Sequence, residues 1–354
     1  MLSADDLQNS ARDYLRGKRV LVTGACGTIG RELVKQLLES FDVGWLIGID
    51  HNETELAFLE EEWADLRRTR FLLCDIRDPS ALLRETRGIE VLFHAGAFKH
   101  VNACERAPLE AVQTNILGVQ NVLQAALDNA VGRLVFTSSD KAVNPTNVMG
   151  TSKLMGERLV TAAATHPSHS GAVFLSTRFG NVLGSRGSVI PIFRDQIRRG
   201  GPVTLSDPQM TRFIMSLDEA VRLVIESAVI GQPGDVLITK MPAISIKDLA
   251  EVMIREFAPR IGREPDSIEL RVTGPRPGEK LFEELMNEEE IRRSYEIERY
   301  LVVRPAITVP PSDANEPHSP LGERVEQVYN SANVTLLSQA ELTDFLHKTR
   351  LLDA

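Results

Sequence analysis

Short apolar runs alternate with amphipathic stretches through the first half of the chain. RVLVTG (19–24), WLIGID (45–50), RFLLCD (70–75), EVLFHAG (90–96), RLVFTSS (133–139) and VFLSTRFG (173–180) have strand length and are apolar on both faces. Between them, stretches such as RELVKQLLES, ETELAFLEEEWADL and PLEAVQTNILGVQNVLQAALDNA carry Leu, Ile, Val and Ala at spacings of three and four, the period of a helix. Strands buried on both faces and separated by helices predict a doubly wound, parallel α/β sheet of Rossmann-like type. We expect this domain to span residues 1–180 and to regain the chain over 217–240, through VRLVIESAVI and GDVLITK.

After residue 180 the rhythm changes. Gly and Pro become frequent in GSRGSVIP, RRGGPVTLSDP and GPRPGEK, which predicts a smaller, mixed α/β substrate-binding lobe over 181–216 and 241–304. Residues 305–354 read as a connector followed by a helix: five prolines fall between 305 and 320, and Ser338 with Glu341 three places on forms a capping box. The chain has no internal repeat.

Composition narrows the function. With 354 residues and 43% hydrophobic content the chain can bury a sizeable core, which excludes disorder as its main state. A net charge of −9 argues against nonspecific nucleic-acid binding, which needs clustered Lys and Arg. No apolar run reaches the roughly 18 residues of a membrane span, and the N-terminus lacks the apolar core of a secretory signal. Cys26, Cys74 and Cys104 are widely spaced, without a CxxC pair, and suit reduced thiols in a cytoplasm. The seven histidines show no metal-ligand spacing, so no catalytic metal is expected.

The first candidate chemistry is VTGACGTIG, which puts Gly24, Gly27 and Gly30 directly after the first strand and at the start of a helix. In that context glycines let the backbone turn sharply and approach a pyrophosphate held at the helix N-terminus. Asp50 ends the second strand, twenty-six residues after Gly24, where its carboxylate can accept both hydroxyls of a ribose. That charge repels a 2′-phosphate and favours NAD, although His51 and Arg70 keep NADP compatible. Asp75, closing the third strand, reads equally as a contact to the adenine edge or as a turn carboxylate.

The glycine spacing, HAGA at strand four and MGTSK together resemble the extended short-chain dehydrogenases/reductases. Within that family AFKHV (97–101), CERAPLEAVQTNILGVQN (104–121), SSDKAVNPTNVMGTSK (138–153), RFGNVLGSRGSVIPIF (178–193), DPQMTRFIMSLDEAV (207–221) and RPGEKLFEEL (276–285) resemble the nucleoside-diphosphate N-acetylglucosamine 4,6-dehydratases of bacterial surface-glycan pathways. The resemblance covers about residues 18–300. It implies oxidation at C4 of the sugar, loss of water across C5 and C6, and reduction at C6, the NAD ending as it began. It adds Cys26, Thr28, Ile29, Ile76, Ala95, Gly96 and Ala97 to the cofactor-binding set. Toward the substrate it points to Lys99 near the sugar, to Asn181 and Arg186 toward the diphosphate with Arg212 as a second phosphate contact, to Glu279 with Pro277 near the base, and to His100, Ser188 and Val189 as further substrate-binding residues. It also implies a homo-oligomer, a dimer or a larger ring.

This chemistry needs an acceptor for the C4 hydroxyl proton, a base for C5 and an acid for the C6 hydroxyl. Asp140 and Lys141, just past strand five, stand where those groups belong. Ser139, or less favourably Ser138, is placed to polarise the reacting oxygen. By resemblance Lys153 bonds the nicotinamide ribose, and its charge should depress the pKa of a neighbouring lysine, leaving Lys141 neutral often enough to act as the C5 base. One helical turn before Lys153, where most of the wider family has tyrosine, stands Met149, which cannot exchange a proton. Asp140 is therefore expected to take the C4 proton itself and return it as the acid at C6. Asn115, a poor helix former, is expected to serve the backbone. The substrate nucleotide reads as UDP with GDP compatible, and methionine at 149 resembles members that retain the C5 configuration. A C4 epimerase and a noncatalytic dinucleotide sensor are the competing readings.

Overall fold

The computed structural model describes residues 4–165, 171–185, 188–275, 278–307 and 322–353. In chain order its strands are β1 (Arg19–Thr23), β2 (Trp45–Asp50), β3 (Thr69–Leu73), β4 (Val91–His94), β5 (Arg133–Thr137), β6 (Val173–Arg178), β7 (Asn181–Val182) and β8 (Val203–Leu205). There follow β9 (Thr211–Met215), β10 (Val236–Thr239), β11 (Ala243–Ser245), β12 (Leu270–Val272), β13 (Ser294–Ile297), β14 (Tyr300–Val303) and β15 (Glu323–Arg324). The chain divides into two compact units. The first comprises Met1–Arg178, Val221–Lys240 and Asn287–Gln327, and the second comprises Phe179–Ala220, Met241–Met286 and Val328–Ala354.

The first unit holds a sheet in the order β15-β13-β14-β10-β6-β5-β4-β1-β2-β3. From β3 to β10 every pairing is parallel. The six sequence-predicted strands are all present, and β1, β4 and β10 are buried on nearly every residue, as a sheet covered on both faces requires. Residues 294–303, expected in the smaller lobe, instead extend this sheet, because YLVV of β14 is buried throughout and pairs antiparallel with β10. One core cluster, including Leu21, Leu92, Val122, Leu134, Phe136 and Phe174, fixes the helices to the sheet. After β3 the chain crosses to the far side of β1, so the carboxyl ends of β1 and β4 flank the reversal of strand order where such sheets bind ligands.

The second unit contains a three-stranded sheet, β11-β9-β7, and a pair, β12-β8. Its core joins Ile190, Phe193 and Ile197 of the helix Val189–Arg199 to Met253 and Phe257 of Ile246–Phe257 and to Leu342 and Leu346 of Gln339–Lys348. That last helix opens with the capping box expected from Ser338 and Glu341. The proline-rich stretch lies largely outside the described residues.

Candidate active site

The glycine loop leaves β1 at Gly24, whose φ of +67° favours glycine and where a Cβ would stand 2.6 Å from the Gly96 backbone, and enters the helix Thr28–Glu39 at Gly27. Gly30 is fixed by space: a Cβ there would stand 2.0 Å from the Gly24 carbonyl oxygen. No side chain caps this helix, so the N–H groups at Thr28 and Ile29 face outward for an anion. The Asp50 carboxylate accepts from the Cys26 N–H (3.0 Å) and the Asn52 N–H (3.0 Å), with His51 Nδ1 at 3.3 Å. Each oxygen keeps a lone pair for a ribose hydroxyl. An uncapped helix end, a backbone packed too closely for a Cβ and a carboxylate held at the end of β2 fit a dinucleotide. Gly30→Ala should therefore abolish dinucleotide binding and lower stability by about 2 kcal/mol or more; retained binding in a fluorescence titration would refute this.

Asp75 is occupied locally. It accepts from the Arg77 N–H and from the Arg77 guanidinium at 2.6–3.1 Å, which hold its carboxyl below the usual range. Ile76 is buried against Gly118, and Arg70 is exposed on β3. Beyond β4, the Ala95 N–H donates to the Thr23 carbonyl and the Gly96 N–H to Thr23 Oγ1, which sets the Ala95–Ala97 backbone beside the glycine loop.

His94 ends β4 inside the protein. Nδ1 lies 2.5 Å from Thr23 Oγ1, and Nε2 is buried without a hydrogen-bond partner. Burial, with the charge of Lys153 second, pushes its pKa down to about 3. The folded protein then refuses a proton that the unfolded chain accepts below about 6.5, so stability is full above pH 6.5 and is lost as pH falls toward 3. Between pH 7 and 4 this one group should cost on the order of 3 kcal/mol. Urea titrations of wild type and His94→Gln at both pH values check it: the variant should lose less on acidification, and parallel losses would contradict it.

The segment following β5 carries the candidate catalytic groups. Ser139 caps a 3₁₀ turn, Asp140–Ala142, and donates from Oγ to Asp140 Oδ1 at 2.6 Å. The Lys141 N–H reaches the same oxygen at 2.9 Å, and Lys141 Nζ lies 3.1 and 3.3 Å from the two carboxylate oxygens. Asp140 is 1% exposed and Lys141 27%, so the pair is not a solvated surface ion pair: one member is inside and the other reaches water. The helix Val148–Ala164 abuts this turn, since a Cβ on Gly150 would stand 2.2 Å from the Lys141 carbonyl oxygen. Met149 is buried with Cys104 and Ala111, and Val101 and Val148 pack on them.

Lys153, 6% exposed, donates from Nζ to the Thr137 carbonyl at 2.8 Å and lies over the Phe136 ring. Burial lowers its pKa, Glu157 and Cys104 oppose the fall, and the result is about 8. Asn115 sits in a π-helical turn, Gln113–Leu117, accepting from the Phe98 N–H and donating to the Phe98 carbonyl and Ser152 Oγ. It thereby ties down the backbone beside Lys99 and His100, both exposed.

In the second unit, Ser188 caps the helix Val189–Arg199 by position only: its Oγ is buried and makes no hydrogen bond. Val189 packs on that unit's core, Asn181 opens β7 opposite Ile214, and Glu279 is exposed. Arg212 donates to the carbonyls of Thr211, Lys280 and Leu281 and lies 3.5 Å from Glu283. A phosphate would have to take bonds from these partners. Arg186 and Pro277 lie outside the described residues.

Residues 20–305 match the family described as "Polysaccharide biosynthesis protein". The chain belongs to this family, within the extended short-chain dehydrogenases/reductases. An uncharacterised membrane protein of Methanocaldococcus jannaschii is 47% identical over 83% of this chain and 87% of its own length. The UDP-N-acetylglucosamine 4,6-dehydratase (inverting) of Campylobacter jejuni is 33% identical over 94% and 98%. A UDP-glucose 4-epimerase of Rickettsia conorii is 36% identical over 80% and 82%. Among solved structures, Pen from Bacillus thuringiensis is 37% identical, with a TM-score of 0.88 over 96% of this chain and 99% of that one. Among the described residues no helix is long and apolar enough to cross a membrane. The chain is thus an enzyme of the nucleotide-sugar dehydratase and epimerase family.

For this family member the sequence reading missed a buried charge cluster beside Lys153. Ser138 donates to Glu157 Oε1 at 2.5 Å, and the Arg178 guanidinium binds Glu157 (2.8 and 2.6 Å) and Glu290 (2.8 and 2.8 Å). A signal was present: Glu157 stands four places after Lys153, and Arg178 closes a strand without another charge.

Proposed function

We propose that the protein is a UDP-N-acetylglucosamine 4,6-dehydratase that uses NAD and releases a 4-keto-6-deoxy nucleotide sugar for surface-glycan synthesis. The Asp140–Lys141 pair just past β5, with its carboxylate buried, carries this reading. An enzyme that only oxidises and reduces C4 has no use for an acid and a base together, whereas loss of water needs both. NAD, when bound, supplies the reversible oxidant for the sugar.

The chain's own residues divide the remaining work. The helix end at Thr28 and Ile29 holds the pyrophosphate, Asp50 the adenosine ribose and Lys153 the nicotinamide ribose. Asp140, with its carboxylate oriented by Ser139 Oγ and the Lys141 N–H, takes the C4 hydroxyl proton. Ketone formation acidifies C5–H, and Lys141, in its neutral form, removes that proton. The C6 hydroxyl leaves as water with the proton stored on Asp140. Met149 fills the gap left by the usual phenol and transfers nothing.

The test is a proton NMR time course of the purified protein with UDP-N-acetylglucosamine in D₂O, first without and then with added NAD. A new 6-methyl signal with deuterium at C5 supports the dehydratase, and the ring couplings report retention or inversion. Relatives named as 4-epimerases favour a second reading. It predicts an equatorial-to-axial change of the C4 hydroxyl with no methyl signal. No change with the UDP sugar but turnover of the GDP sugar would reassign the nucleotide.

A further inference from the structure

Three consecutive residues at the end of β5 each hold one group of the site. The Thr137 carbonyl accepts from Lys153 Nζ, Ser138 Oγ donates to Glu157, and Ser139 Oγ donates to Asp140. The middle bond leads away from the chemistry into a cluster with almost no solvent. Arg178 is 1% exposed, and it donates to Glu157 from Nε and Nη2 and to Glu290 from Nη1 and Nη2. Glu290 is fixed in turn, because its carboxylate also accepts from the Asn287 N–H in the capping box of a short helix, Glu288–Ile291.

We propose that Glu157 is the positioning residue of this site: held by Ser138 and by Arg178, which Glu290 grips from its other side, it sets the β5 terminus and fixes the electrostatic environment of Lys153. Two carboxylates share one guanidinium, and the one on Lys153's own helix, one turn away, is Glu157. The other titratable groups acting on Lys153 are Cys104, from the helix Val101–Arg106, and His94, from β4. The Cys104 thiol is pushed up by burial and His94 stays neutral, so neither competes with Glu157 as a counter-charge near pH 7. Ser138, one of two serines considered for the reacting oxygen, is on this account an anchor for Glu157, and Ser139 alone serves Asp140.

The inference rests on the reading of Lys153 as the lysine that holds the nicotinamide ribose, yet it is tested without turnover. Full-length protein labelled with ¹³C at the lysine ε-carbons is titrated by NMR, and the Lys153 resonance is assigned by its absence in Lys153→Arg. In Glu157→Gln the midpoint should fall from about 8 by roughly one pH unit. In Glu290→Gln, which breaks the same cluster on its far side, it should stay in place. If Glu157→Gln does not fold, the triple variant Glu157→Gln, Arg178→Met, Glu290→Gln removes all three buried charges and should show the same fall. An unchanged midpoint on loss of Glu157, or an equal fall in Glu290→Gln, overturns the proposal. A wild type that fails to dehydrate UDP-N-acetylglucosamine while its titration behaves as stated refutes the proposed reaction and leaves the role of Glu157 standing.

Discussion

Asp140→Asn should reduce formation of the 6-methyl product by about a thousandfold or more, and it should stop the reaction before the ketone. The amide keeps the size of the carboxylate and a carbonyl oxygen for Ser139 Oγ, so the turn at Asp140–Ala142 should survive. It has no basic oxygen to take the C4 hydroxyl proton and no acidic proton for the C6 hydroxyl. Met149, in the place of the usual phenol, offers neither. The measurement is an NMR time course that follows the 4-ketone and the 6-methyl group separately. Loss of both supports one carboxylate serving two steps. A ketone that forms at the wild-type rate without a methyl group would limit Asp140 to the C6 step and would assign the C4 proton elsewhere.

Arg178→Met should destabilise the protein by about 3–5 kcal/mol at neutral pH, the usual consequence of leaving buried carboxylates without their partner. Burial pushes the Glu290 carboxyl up, but the Arg178 hydrogen bonds and charge outweigh burial and hold it below its ordinary value. With Arg178 gone, that balance reverses and Glu290 should take up a proton more readily. Its stabilising contribution in the wild type is present above the ordinary carboxylate range and is lost as pH falls through the lowered value, so the wild-type advantage should shrink on acidification. Urea unfolding at pH 7 and pH 4 measures both effects. A loss below about 1 kcal/mol at pH 7 would mean that water or neighbouring groups already satisfy the two carboxylates.

The elements legible in the sequence were those whose signal is local. β1 to β6 followed from two-sided apolar runs, and the helix cap at Ser338 acts within three residues of itself. β14 was less legible, since YLVV is as short as a loop segment and becomes a strand only by pairing with β10 some sixty residues earlier. Asp75 is a case in which two readings were open: the Arg77 side chain, two residues on, ties it into a local turn.

What the chain determined by itself was the doubly wound order, the glycine loop with Asp50, and the spacing that sets Asp140, Lys141, Met149 and Lys153 on one turn and the helix after it. Each depends on residues a few places apart, where periodicity and backbone sterics leave few alternatives. Tertiary structure alone decided which charges are buried together. Arg178 meets Glu290 across 112 residues, and Arg212 meets the carbonyls of Lys280 and Leu281 across 68 and 69. No periodicity records such pairs, because a charged side chain on a strand or helix looks the same in sequence whether it ends in water or against a counter-ion. Only folding, which removes the water, makes the partner necessary.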